Sequence, residues 1–140
     1  YEAAAANVRV ELIIRGMCSL YPGREGLSES ISVVSIIGQF LEHSRIFWFG
    51  NGGSPEVYIG SADWMSRNLD RRVEAVTPVE DPNLRGRLER LLELYLKDNR
   101  GAWDMQSDGS FIQRQPEDGE DVRNSQVQLI KQWSQGVPQS

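Results

Sequence analysis

From Val8 to Ile14, apolar residues recur at every second position. Residues 8–14 read Val-Arg-Val-Glu-Leu-Ile-Ile, which is the period expected of a strand with one buried face. This strand is expected to end at Arg15-Gly16. The stretch from Cys18 to Ser30 contains Pro22-Gly23 and Gly26, and it predicts a loop long enough to indicate a functional role.

Three more short apolar runs predict strands, and two of them predict a hairpin. Residues 31–37 are rich in β-branched side chains, and residues 46–49 and 57–59 flank a turn-forming run of Gly, Asn, Ser and Pro. Because antiparallel pairing brings the start of one strand beside the end of the next, His43 and Gly60-Ser61 are expected to meet at the open end of this hairpin.

The second half of the chain predicts a strand at residues 71–78, a helix, an irregular hairpin around Asp108-Gly109 and a final helix. Asp81 is expected to cap the first helix, with Pro82 in its first turn and Gly101 as its stop. The apolar face of this helix comprises Leu84, Leu88, Leu91, Leu92 and Tyr95. The last helix is expected to pass through Val122, Val127, Ile130 and Trp133 and to end at Gly136 and Pro138.

This order of elements predicts an α/β or α+β domain, a mixed sheet flanked by helices. A length of 140 residues fits one domain spanning 1–140. Residues 1–7 read Tyr-Glu-Ala-Ala-Ala-Ala-Asn, like the end of a helix without its beginning, and we therefore expect a fragment of a longer protein.

Composition narrows the class of function. The net charge of −5 argues against a general nucleic-acid-binding protein, since affinity for a phosphate backbone comes mainly from excess Lys and Arg. The single cysteine, Cys18, excludes an internal disulfide and suits a reducing cytosol. No apolar run approaches the length needed to cross a bilayer.

The one histidine of the chain, His43, precedes a predicted strand and is a candidate for phosphate chemistry. Imidazole changes charge near neutral pH, so it can exchange a proton with a phosphate oxygen, and its neutral form can accept a phosphoryl group. The alternative is a structural or surface histidine.

Arginines supply the candidate positive charge. Arg15 lies where the first predicted strand ends, and α/β folds place ligands at strand ends; its guanidinium can pair with the oxygens of a moving phosphoryl group. Arg67, Arg71 and Arg72 form a basic cluster that is either a polyanion groove or a solvated face paired with Asp70 and Glu74.

Other motifs carry weaker signals. Gly60-Ser61 can offer backbone donors and a hydroxyl to an anion, or can be an ordinary turn. Neither a Gly-x-x-x-x-Gly-Lys-Ser/Thr loop nor a Gly-x-Gly-x-x-Gly motif is present. The aromatic residues of the predicted strands fit a core better than a base-stacking platform.

Several long motifs closely resemble the carboxyl-terminal domain of the bacterial polyphosphate kinases. They include Leu-Ile-Ile-Arg-Gly-Met-Cys at 12–18, Ser-Ile-Ile-Gly-Gln-Phe-Leu-Glu-His-Ser-Arg-Ile at 35–46 and Val-Tyr-Ile-Gly-Ser-Ala-Asp-Trp-Met at 57–65. The resemblance runs from about Val8 to Pro116. It implies the second of two carboxyl-terminal domains with a phospholipase D-like fold, which follow an amino-terminal and a head domain.

The resemblance also implies a function: reversible transfer of the terminal phosphate of ATP to polyphosphate, with magnesium and through a phosphohistidine in a preceding domain. Onto this sequence it carries His43 as the family's second essential histidine and Arg15 as a nucleotide-contacting arginine. Arg45, Ser61, Arg67 and Arg72 are weaker candidates for ATP binding, and no magnesium ligand is expected in this chain.

The resemblance further implies ATP, ADP and polyphosphate as ligands, with the remaining domains of the same polypeptide as partners. It predicts a homo-oligomeric full enzyme that is cytoplasmic, with or without peripheral association to the inner membrane. Two alternatives stay open. One is a non-catalytic anion-binding or assembly module. The other is a phospholipase D-like phosphodiesterase half-site, although Arg45 replaces the lysine of the usual His-x-Lys motif.

Overall fold

The computed structural model describes residues 1–134 and 136, and the described chain divides into two compact units. The first comprises Tyr1–Glu42 and the described residues from Leu94 onward, and the second comprises His43–Glu93. The predicted mixed α/β class is confirmed, although the described strands form two sheets in place of the one mixed sheet that was expected. None of the helices in the described residues is both long and apolar enough to span a bilayer.

The first unit is built on a four-stranded sheet in the order β1-β2-β6-β7. Its strands are β1 (Val10–Ile13), β2 (Ile31–Ile36), β6 (Ala102–Met105) and β7 (Phe111–Gln113). β1 and β2 are parallel, whereas β2–β6 and β6–β7 are antiparallel. The helices of this unit are α1 (Glu2–Ala5) and α4 (Ser125–Ser134).

β2 lies between two neighbours and is buried at five of its six positions. This explains its β-branched run, since a strand covered on both faces needs apolar side chains in both directions. Ile31 and Val33 form a core cluster with Met105 of β6. Partly buried apolar residues of β1 and of the loop after it, among them Leu12, pack against this cluster.

The predicted loop between β1 and β2 is confirmed and is held by one buried serine. Ser28 Oγ donates to the Tyr21 carbonyl at 2.7 Å and accepts from the Arg24 N–H at 3.0 Å. The Arg24 guanidinium lies 4.2 Å from the Tyr21 ring centroid. The side chains of the loop therefore replace the missing ladder hydrogen bonds.

The second unit is an antiparallel sheet in the order β3-β4-β5 with one short helix. The elements are β3 (Ile46–Phe49), β4 (Glu56–Gly60), α2 (Ser66–Arg71) and β5 (Val76–Pro78). The β3–β4 pairing, with Ile46 opposite Ile59, confirms the predicted hairpin. A fifteen-residue helix, α3 (Pro82–Leu96), begins in this unit.

Three predicted boundaries were wrong, and in each place side-chain hydrogen bonds decide the outcome. The strand expected at 71–78 is limited to β5, because Glu74 accepts hydrogen bonds from Ser61 and Asn68 in place of ladder pairing. α3 ends at Leu96, before the expected Gly101, because Asp98 turns the chain.

α4 begins at Ser125, after the expected Val122, because Asn124 accepts from the Val127 N–H and caps it there. Of the two residues expected to stop this helix, Gly136 is described and has a positive φ of 58°. Pro138 lies outside the described residues.

Candidate functional site

His43 lies in an irregular segment just before β3, and its side chain is exposed. Its main-chain carbonyl accepts a hydrogen bond from Arg45 Nη1 at 3.0 Å. Within the described part of the chain, the imidazole itself makes no hydrogen bond or ion pair. Both ring nitrogens are therefore accessible to a ligand, as proton exchange with a phosphate oxygen requires.

Arg15 follows β1 and lines an open groove of about 460 Å³ in the first unit. The groove is formed mainly by residues 35–41, which include the end of β2, together with Gly16 and Phe111. Arg15 Nη1 donates to the main-chain carbonyl of Glu42 at 2.5 Å. The oxygen that accepts from Arg15 Nη1 thus belongs to the residue preceding His43 in sequence.

The Glu42 side chain is held from two elements of the same unit. Its Oε2 accepts from the Tyr95 hydroxyl at 2.8 Å, and its Oε1 accepts from Gln126 Nε2 at 2.7 Å. The Gln126 amide also pairs with both backbone groups of Phe40, at 2.9 and 2.7 Å. Sequence reasoning missed Tyr95 and Gln126 as site residues, and no local motif marks either one.

In the second unit, Arg45 lies at the open end of the β3–β4 hairpin. The Gly60 N–H donates to its carbonyl at 3.0 Å, and its Nε forms a 3.0 Å ion pair with Asp63. Arg45 and Gly60 therefore lie opposite each other at this end of the hairpin. Side-chain contact of His43 with Gly60-Ser61 stays a prediction.

Ser61 is part of a turn network centred on Glu74. Ser61 Oγ donates to Glu74 Oε2 and accepts from the Ala75 N–H at 3.1 Å. Asn68 Nδ2 donates to Glu74 Oε1 at 2.9 Å, and Arg72 lies 3.5 Å from the same oxygen. Both Ser61 and Arg72 have partners within the unit, and their predicted role in ATP binding stays a prediction.

These contacts govern the charge of Glu74. The hydrogen bond from Ser61, then the one from Asn68, and to a smaller extent the charge of Arg72 lower the pKa of Glu74, while partial burial opposes them. Glu74 is therefore a carboxylate at neutral pH. Asn68 is buried, and its Oδ1 has no hydrogen-bond partner among the described residues.

The arginines of the predicted basic cluster differ in whether they form ion pairs. Arg72 pairs with Glu74, as the solvated-face alternative expects for that residue. Arg67 is exposed on α2, and no ion pair joins it to another described residue. A polyanion-binding role for Arg67 stays a prediction.

Acidic and histidine side chains do not gather into a metal site in residues 1–134 and 136. No group of three or more His, Cys, Asp or Glu side chains there could hold an ion. The described residues therefore offer no magnesium cage made of protein ligands alone.

Comparison with known proteins gives consistent results. The family model described as polyphosphate kinase C-terminal domain 2 matches residues 1–126. The polyphosphate kinase of Prochlorococcus marinus is 69% identical over 138 residues, which cover 99% of this chain and 19% of that protein. That of Pseudomonas aeruginosa is 51% identical over 137 residues, covering 98% of this chain and 20% of the relative.

A solved structure agrees with these relatives. The crystal structure of polyphosphate kinase from Porphyromonas gingivalis superimposes with a TM-score of 0.89 at 40% identity. The match covers 96% of this chain and 20% of that one. The chain thus spans about a fifth of the length of the relatives that it matches.

Proposed function

This chain belongs to the polyphosphate kinase family, and from that premise we propose that it supplies Arg15 and His43 to the reversible transfer of phosphate between ATP and polyphosphate. The contact between the Arg15 guanidinium and the Glu42 carbonyl carries the proposal. Arg15 lines a groove and bonds to the backbone of Glu42, the residue that precedes the exposed His43 in sequence.

The chemistry requires both residue types. Phosphoryl transfer spreads negative charge over the oxygens of the moving group, and a guanidinium meets two such oxygens with parallel N–H donors. In this proposal the imidazole of His43 donates or accepts a proton as the bridging oxygen changes its charge. In this proposal a phosphohistidine in a preceding domain carries the phosphoryl group, and His43 assists it.

Arg45, Ser61, Arg67 and Arg72 have supporting roles in the proposal as ATP contacts. Arg67 is the best placed of these side chains, since it is exposed and has no ion-pair partner in the described residues. ATP, ADP and polyphosphate are the proposed ligands. The remaining domains of a longer, homo-oligomeric and cytoplasmic enzyme are the proposed partners.

Two substitutions in the full-length enzyme test the proposal. We expect His43→Ala and Arg15→Ala each to lower kcat/KM for ATP-dependent polyphosphate synthesis by at least ~100-fold, the effect of removing one group that stabilises transition-state charge. Incorporation of labelled phosphate from ATP measures the rate.

Arg9→Ala is the matched control, because Arg9 lies just before the same strand but pairs with Glu11 at the surface. We expect this variant to keep wild-type activity. Circular dichroism and thermal unfolding check that all three variants fold. Activity within a few-fold of wild type in either folded test variant would contradict the proposal.

A further inference from the structure

The segment that leads into His43 is irregular, and one glutamine bonds both backbone groups of Phe40 within it. Residues 38–42 lie outside the strands and helices, so their N–H and C=O groups need other partners. Gln126 Oε1 accepts from the Phe40 N–H at 2.9 Å, and Gln126 Nε2 donates to the Phe40 carbonyl at 2.7 Å. The side-chain amide thus pairs with Phe40 as a neighbouring strand would.

The same amide extends the contact to a carboxylate. Gln126 Nε2 donates its second hydrogen to Glu42 Oε1 at 2.7 Å, and the Tyr95 hydroxyl donates to Glu42 Oε2 at 2.8 Å. Gln126 is only 4% exposed and Tyr95 only 5%, so both donors are fixed by packing. Because each carboxylate oxygen has its own donor, the side chain of Glu42 is restricted to one orientation.

Glu42 also contacts Arg15, so it joins the hydrogen bonds of Tyr95 and Gln126 to the candidate nucleotide-contacting arginine. Its carbonyl accepts from Arg15 Nη1 at 2.5 Å, and its peptide bond continues into His43. We propose that Glu42, Tyr95 and Gln126 are positioning residues for phosphoryl transfer, acting through the Glu42 carbonyl on the Arg15 guanidinium. The inference rests on the proposed function and assigns three residues to the support of its site.

Gly38 lies directly against the side-chain amide of Gln126. A Cβ added at Gly38 would lie 2.4 Å from Gln126 Oε1 and 2.8 Å from Gln126 Cδ. Because the φ of Gly38 lies outside the left-handed region, alanine suits the backbone itself. Gly38→Ala therefore displaces the Gln126 amide without deleting any of its atoms.

Positioning matters here because misalignment by about 1 Å can cost a hundredfold in rate. In the full-length enzyme we expect Tyr95→Phe, Gln126→Leu and Gly38→Ala to lower kcat/KM for ATP by ~10-fold to ~100-fold. Tyr58→Phe is the matched control, since it also removes a tyrosine hydroxyl from a glutamate, Glu56, but from a solvent-exposed hydrogen bond in β4. This control is expected to keep wild-type activity.

A double-mutant cycle separates positioning from a structural role. If Tyr95 acts through Arg15, Tyr95→Phe should cost much less in an Arg15→Lys background than in wild type, because the two changes are coupled. Full additivity of the two losses would overturn the inference. Tyr95→Phe removes one oxygen atom, so the cycle stays available if Gln126→Leu does not fold.

The outcomes also separate this inference from the function on which it rests. Activity within a few-fold of wild type in either folded variant, His43→Ala or Arg15→Ala, would remove the proposed function. Loss of activity in those two variants, with Tyr95→Phe, Gln126→Leu and Gly38→Ala all folded and within twofold of wild type, would leave the function in place and overturn the positioning role.

Discussion

At the scale of single residues, Asp98 shows how one carboxylate can join distant parts of the first unit. It is 1% exposed. Its oxygens accept from Ser125 Oγ and from the main-chain N–H groups of Arg100, Gly101, Ala102 and Ser125. The carboxylate therefore connects the turn after α3 with the start of α4.

We expect Asp98→Asn to destabilise the chain by about 2 kcal/mol at pH 7, because the amide keeps one acceptor oxygen but turns its NH₂ group toward buried donors. Denaturant unfolding of the 140-residue chain measures the loss. Asp108→Asn is a matched control, since the Asp108 carboxylate accepts from Ser110 in an exposed turn. A loss no larger than that of the control would contradict the expectation.

The pH dependence of this effect has a definite sign. Burial raises the pKa of Asp98, but the hydrogen bonds from Ser125, Arg100 and Gly101 together outweigh it and lower the pKa below its ordinary value. A depressed folded-state pKa stabilises the protein above the unfolded pKa of about 3.9, and the contribution is lost as pH falls through the folded value. The stability difference between wild type and Asp98→Asn should therefore shrink below about pH 4.

At the scale of elements, the start of α3 depends on the predicted cap. Asp81 Oδ1 accepts from the N–H groups of Asn83 and Leu84, both at 2.9 Å. We expect Asp81→Ala to reduce the free energy of unfolding by about 1 kcal/mol, and Asp81→Asn by only a few tenths because asparagine is also a good cap. Denaturant unfolding compares the variants, and equal losses in the two would show that capping is not the cause.

The β3–β4 hairpin and the Asp81 cap of α3 were predicted from sequence, whereas α2 was not. The alternating character of residues 71–78 predicted a strand, but the structure forms only three residues of β5 there. The preceding residues fold into α2, whose buried Asn68 donates to Glu74. A side chain that bonds across a turn outweighs a short period-two pattern, and local periodicity does not report that bond.

At the scale of the whole molecule, the chain spans about a fifth of its relatives, and phosphoryl transfer needs donor and acceptor aligned in one site. We expect the isolated 140-residue chain to transfer no phosphate between ATP and polyphosphate above background. The assay is labelled-ATP incorporation, with the full-length enzyme as positive control. Turnover by the isolated chain that disappears in its His43→Ala variant would contradict this expectation.

The isolated chain also tests the non-catalytic alternative. If this piece only binds anions, equilibrium dialysis with polyphosphate should show binding without turnover. Its net charge of −5 limits any such binding to local positive groups such as Arg15 and Arg67, and we therefore expect binding to weaken with added salt.

The sequence by itself determined the fold class, most strands, both long helices and the family. Periodicity, the Asp81 cap and long motifs are local, so they can be read along the chain. Glu42 stands beside His43 in sequence, yet only the tertiary structure showed that its carbonyl accepts a hydrogen bond from Arg15. Tyr95 and Gln126 reach Glu42 from 53 and 84 residues away. Packing alone selects such partners, because a hydrogen bond between distant residues leaves no periodic trace in the chain.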